Sequence, residues 1–192
     1  MAYLVAAIPV GLLVGLARGV DLREIGSGNI GATNAMRALG KRWGLAVLVL
    51  DVAKAAAPVW LARDIGGIDD PQWLAGCAFA AVCGHIFPVY LRFRGGKGVA
   101  CALGTLLVLA PPAALCALSV YLVVLVRTRV SALGSLSGVS AGVAFVLLLE
   151  HPQPYRIFVV ALWLVIWWRH RANLRDFNER RRARAAQPAE SA

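Results

Sequence analysis

Apolar positions along this chain come in long continuous runs. Seven stand out, at about 2–17, 43–62, 72–91, 98–111, 113–126, 131–149 and 155–168. The runs do not alternate apolar with polar, as a half-buried strand would, and they leave no wide polar face. About 20 apolar residues carry a helix across the hydrocarbon of a bilayer, and only helices and closed barrels satisfy their backbone groups there. The pattern predicts an all-α integral membrane protein of about seven transmembrane helices. Two runs are shorter than a full span, which leaves room for tilted or re-entrant pieces.

Composition agrees, with 59% of the 192 residues hydrophobic. The opening run, MAYLVAAIPVGLLVGLARG, has no Lys or Arg ahead of it, so it is expected to stay as a first helix and not to be a cleaved signal. Cys77, Cys83, Cys101 and Cys116 all sit in apolar runs without a Cys-x-x-Cys pair, so inert thiols are expected, with no metal and no cofactor. Without internal repeats, residues 1–176 read as a single transmembrane domain, and the basic stretch 177–192 as a flexible tail.

The charges give the runs a direction. With the N-terminus outside, inner loops and the tail collect all of the 20 basic residues but Lys54, Arg63 and Arg156. The outer loops carry Asp64, Asp69, Asp70 and Glu150. This is the positive-inside pattern, and it puts the C-terminus in the cytoplasm. The net charge of +10 then serves topology and contact with anionic lipid. Nucleic acid is a poor partner, because no soluble domain displays the charge.

That topology brings three polar stretches to one side of the membrane, where polar groups are costly unless they pair or work. The first, GSGNIGATNAMRALGK from residue 26, satisfies G-x-G-x-x-G. A dinucleotide loop needs a strand before it and a βαβ unit around it; here membrane helices stand on both sides, so a nucleotide is excluded. The glycines Gly26, Gly28 and Gly31 still allow close backbone approach, and with Ser27, Asn29, Thr33 and Asn34 they suit an anion nest. Arg37, one helical turn after Thr33, offers a two-pronged donor for phosphate. The second stretch, GHIFPVYLRFRGGKGVA from residue 84, sets Gly95, Gly96 and Gly98 around Lys97, ahead of a predicted helix start, a second place for phosphate. His85 suits a structural role as well as a chemical one. The third, RHRAN from residue 169, puts His170 and Asn173 on one helical face, and a histidine can take a proton from a hydroxyl. Asp51 and Lys54, at i and i+3, are expected to pair. Arg129 and Ser135 could join the site from the start of the sixth helix.

At these stretches the chain resembles the PlsY family, the bacterial acyl-phosphate:glycerol-3-phosphate acyltransferases. The likeness spans most of residues 8–175, including LDVAKA and ARGVDLREIG. It departs where the family's third motif runs on to a Gly-x-Glu, which LRDFNERRRARAA replaces, and at Ala132, where a serine is common. The resemblance implies seven helices in the bacterial inner membrane and an active site on the cytoplasmic face. It implies transfer of a fatty acyl group from acyl phosphate to the 1-hydroxyl of glycerol 3-phosphate, giving lysophosphatidic acid and phosphate, with no cofactor and no obligatory protein partner. The residues suit direct transfer: Ser27, the first loop and Arg37 on the acyl-phosphate head, Lys97 and the Gly95–Gly98 backbone on glycerol 3-phosphate, His170 orienting or deprotonating the hydroxyl, and Asn173 supporting it. The rival reading is a transporter or channel for a phosphorylated solute, but such sites tend to lie at the midplane between repeats.

Overall fold

The computed structural model describes residues 1–186, which are helical with no strand among them. The α-helices are α1 (Ala2–Ala6), α2 (Val10–Ala17), α3 (Ala32–Leu39), α4 (Lys41–Trp60), α5 (Pro71–Ile86), α6 (Val99–Leu109), α7 (Pro111–Thr128), α8 (Ser131–Leu148) and α9 (Gln153–Ala186). Local chemistry sets the boundaries. Asp70 caps α5, its carboxylate accepting the Gln72 amide at 2.8 Å, with Pro71 in the first helical position. Pro111 opens α7 in the same way. Pro58 lies inside α4, and the chain widens into a π-helical turn over Leu61–Ile65.

Each of the seven apolar runs falls on helix. Four stretches, Lys41–Ile65, Pro71–Leu91, Pro111–Thr128 and Ser131–Leu148, are long and apolar enough to cross a membrane. The first run is not one helix: it breaks between α1 and α2, around Ile8 and Pro9. α6 has only 11 residues, about 16 Å at the helical rise. α9 has 34, about 50 Å, well beyond a hydrocarbon core of roughly 30 Å. Residues 177–186 are therefore helical; the rest of the expected tail, 187–192, lies outside the described residues.

The helices pack through small residues, as expected where lipid removes the hydrophobic drive between helices. Gly138 of α8 lies against α7 so closely that a Cβ there would sit 2.6 Å from the Ala117 carbonyl. The core joins α1, α4, α5, α6, α7, α8 and α9 through residues such as Ala55, Ala78, Ala81, Ala113 and Ile166. The outside is apolar instead: Leu115, Val123, Leu148, Ile157 and Leu164 are all exposed, as suits helices that face lipid. One polar knot interrupts the core. Lys54 lies 3.0 Å from Asp51 and donates to the Ile8 carbonyl at 2.7 Å, so the expected pair forms and also ties down the break after α1.

Candidate active site

The first glycine stretch is a loop folded over the start of α3. Gly26 and Gly28 hold left-handed φ of +63° and +66°. Buried Asn34 stitches the loop together: its amide nitrogen donates to the Leu22 and Ile25 carbonyls at 2.9 and 3.0 Å, and its oxygen accepts the Ser27 amide at 3.1 Å. Gly31 caps α3 and its carbonyl accepts the Asn34 and Ala35 amides. The Ala32 and Thr33 amides have no protein acceptor among the described residues. Ser27, Thr33 and Arg37 are exposed around them. The Thr33 hydroxyl lies 3.1 Å from that of Ser131, at the start of α8.

The second stretch is held from two sides. The Gly95 and Gly96 amides donate at 3.1 Å to the Ile86 and His85 carbonyls at the end of α5. Those two amides fold the loop and face no ligand. Gly96 rests on the buried His85 ring, in the space a Cβ would need. The chain then turns at Gly98, φ +87°, into α6. From Lys97 to Ala100 the amides have no protein acceptor among the described residues, and they sit at the positive end of α6.

α9 grips the same loop from the other side. Arg169 donates through Nε to the Gly96 carbonyl at 3.2 Å and through Nη2 to the Gly95 carbonyl at 2.8 Å. One turn on, Asn173 Oδ1 accepts from the Lys97 ammonium. Between them His170 is buried. Its Nδ1 lies 2.8 Å from the Ile166 carbonyl, which can only accept, so Nδ1 carries the proton and Nε2 keeps its lone pair. Nε2 has no partner among the described residues.

The charges at this end shape each other. Burial, then the nearby Arg169 and Arg37, lower the Lys97 ammonium to about 8. His170 lies past the apolar run, which ends at Trp168. Burial outweighs its bond to Ile166 and, with Lys97 and Arg169 beside it, holds the imidazole down at about 4. Lys97, Arg169, Asn173 and His170 thus form one unit, with Arg37 near enough to be felt.

Other predicted positions stand apart. Arg129 is exposed with a left-handed φ of +58°, and neither it nor Ser135 hydrogen-bonds to the glycine stretches among the described residues. The α8 hydroxyl that meets the first loop is Ser131. Arg169 was counted with the topology arginines, although its i, i+4 spacing from Asn173 already put both on one helical face. Asp51, His85 and Cys101 come together in the core with their ligand-type atoms within 4.8 Å. The Lys54 ammonium already lies against the Asp51 carboxylate, and the Cys101 thiol donates to the Asp51 carbonyl at 3.2 Å. A metal there would face a fixed cation, so the set suits a structural knot beneath Gly96 better than a metal centre.

Fold and site define an all-helical protein, apolar enough to cross a membrane, in which Lys97, Arg169 and Asn173 gather against a glycine-rich loop. The glycerol-3-phosphate acyltransferase family model matches residues 1–179, and the chain belongs to that family. It is 49% identical over 179 residues to a glycerol-3-phosphate acyltransferase of Anaeromyxobacter dehalogenans, covering 90% of this chain and 88% of the relative. It is 45% identical to one of Thermus thermophilus, covering 100% and 95%. The crystal structure of PlsY, an integral membrane glycerol 3-phosphate acyltransferase, in its glycerol 3-phosphate form superposes with a TM-score of 0.89 at 37% identity, covering 94% of this chain and 90% of that one. Its lysophosphatidic acid form gives 0.86 at 36% identity, covering 94% and 89%.

Proposed function

We propose that the protein transfers a fatty acyl group from acyl phosphate to the 1-hydroxyl of glycerol 3-phosphate, releasing lysophosphatidic acid and inorganic phosphate. Family membership and the relatives' named activity support the acceptor and the reaction class. The observation that carries the reading is the second loop: Lys97, held by Asn173 and flanked by Arg169 and Arg37, beside the unpartnered amides that open α6. It is a site for a small phosphate ester. The first loop, with Ser27, Gly28, Asn29, the Ala32 and Thr33 amides and Arg37, takes the acyl-phosphate head. The apolar exterior gives the donor's chain a place beside it.

The acyl carbon is already activated, so positioning and charge stabilisation suffice. The hydroxyl oxygen attacks the carbonyl carbon, the bond from that carbon to the phosphate oxygen breaks, and phosphate leaves through the first loop. His170 Nε2 accepts the hydroxyl's hydrogen bond and orients it. The proton leaves with the phosphate: the oxygen freed as the bond to the acyl carbon breaks is a far stronger base than an imidazole held near 4, so hydrogen phosphate departs. Among the described residues Ser27 has no histidine bonded to it, which disfavours an acyl-serine intermediate. The reading includes seven membrane-crossing segments in a bacterial inner membrane, an outer N-terminus and a cytoplasmic site, with 1–176 as the working domain.

Purified protein in lipid, given glycerol 3-phosphate with acyl phosphate or with acyl-CoA, should form lysophosphatidic acid with the first donor only. Turnover with acyl-CoA alone would refute the donor. Failure with both, together with solute uptake by vesicles, would make it a transporter. His170→Gln should raise KM for glycerol 3-phosphate and lower kcat by no more than about tenfold. A fall in kcat of a thousandfold at unchanged KM would assign the proton to His170.

A further inference from the structure

Arg169 is unlike its neighbours on α9. Arg169 and Arg171 both lie over the Trp168 ring, at 5.7 and 4.5 Å, but Arg171 and Arg175 are exposed. Arg169 is half-buried and gives its donors to two consecutive backbone carbonyls of the glycine loop. Those oxygens belong to the same peptide run whose later amides open α6. Carbonyl oxygens left free beside a dianion would repel it, and a loop free to rotate would present oxygen and N–H groups alternately. The α5 carbonyls of Ile86 and His85 fix the two glycine amides from behind. Among the described residues, only the guanidinium fixes the carbonyls from the front. Its planar fork reaches both at once, which a lysine ammonium does not reproduce.

We propose that Arg169 is a positioning residue for the acceptor pocket: by holding the Gly95 and Gly96 carbonyls it locks the glycine loop with the Lys97 ammonium and the first α6 amides turned to the acceptor's phosphate. The proposal rests on the reading that this loop holds glycerol 3-phosphate. The same guanidinium, next after burial, lowers the proton affinity of Lys97. Arg169 therefore sets both the shape of the pocket and the pH at which its cation is present. Asn173, at i+4, holds the ammonium itself, so one face of α9 secures the loop at the backbone and at the side chain.

The test compares the full-length chain with Arg169→Gln and Arg169→Lys in lipid, with thermal melting to check folding. Arg169→Gln should raise KM for glycerol 3-phosphate at least tenfold and leave KM for acyl phosphate within about twofold. Arg169→Lys should restore charge but not the low KM. A readout independent of turnover is the reactivity of Lys97 toward an amine-acylating reagent across pH, followed on the Lys97 peptide by mass spectrometry. Its midpoint should move to higher pH in Arg169→Gln and stay near the parent's in Arg169→Lys. Unmoved midpoint and unmoved KM in a folded Arg169→Gln protein would overturn the proposal, as would equal rises in both KM values. If the parent protein acylates no glycerol 3-phosphate, the functional reading fails, while the labelling midpoint still decides whether Arg169 governs Lys97.

Discussion

The two glycine loops look alike in sequence, but Gly28 of the first and Gly96 of the second are needed for different reasons. In the first, Gly28 is needed for its backbone: it is exposed at a left-handed φ, whereas Gly26, also left-handed, lies where a Cβ would come 2.4 Å from the oxygen of buried Asn34, the side chain that holds the turn. In the second, Gly95 and Gly96 are needed for their missing side chains, because α5 backbone and the His85 ring fill the space a Cβ would take. That loop is tied to α5 by two amides and to α9 by two carbonyls and a lysine. A pocket fixed on several sides suits a small water-borne phosphate ester. A loop hinged on one residue suits a head group that arrives from the bilayer on a long chain and must leave again.

The difference is sharpest at Gly96. A Cβ there lands on the His85 ring, which is buried and cannot yield because Asp51 and Cys101 lie against it. The loop must shift, and if it holds the acceptor as proposed, a shift of about 1 Å can cost roughly a hundredfold. Gly96→Ala should therefore lower kcat/KM for glycerol 3-phosphate by about a hundredfold or more and leave KM for acyl phosphate unchanged. An equal loss for both substrates would show that the loops are not separate sites.

Asn34→Asp addresses the other loop. A carboxylate keeps the size and the acceptor for Ser27 but cannot donate to the Leu22 and Ile25 carbonyls. Each lost bond leaves a polar group worth about 1–3 kcal/mol. Kcat/KM for acyl phosphate should drop ten- to fiftyfold, with KM for glycerol 3-phosphate preserved. The next effect depends on pH. Lys97 is charged below about 8 and neutral above it in the free enzyme. Kcat/KM for glycerol 3-phosphate should fall tenfold per unit above that point, so by about tenfold at pH 9. A profile flat to pH 9.5 would remove Lys97 from acceptor binding.

How much of this could be read from the chain follows from what sets each feature. The apolar runs are legible because hydrocarbon thickness fixes their length, and all seven fall on helix. The break at Pro9 was not anticipated, because the carbonyl it exposes is taken by Lys54 from another helix. The glycine stretches were legible as loops that bring backbone amides close together, but not which amides are free; Ile86 and His85 decide that for Gly95 and Gly96. Arg169 was hidden among arginines that set topology, and Ser131 was passed over for Ser135. In both, the deciding partner lies on a distant segment, and relations between helices are not written in local spacing.

The smallest effect tests the comparison most finely. Alanine at Gly28 must adopt φ near +66°, which costs about 1–2 kcal/mol, and its Cβ would come 3.1 Å from the Arg23 carbonyl. The loop is exposed and can relax, so Gly28→Ala should lower kcat/KM for acyl phosphate by about fivefold. Asparagine tolerates the left-handed region better than alanine although it is larger, so Gly28→Asn should be the more active of the two. At Gly96 the order should reverse, because there the ring of His85 sets the limit and every added atom makes the fit worse. Activities of the four variants, measured against each substrate in turn, give the check. If alanine surpasses asparagine at both positions, the first loop is limited by space like the second, and the contrast between a backbone-driven and a packing-driven glycine is wrong.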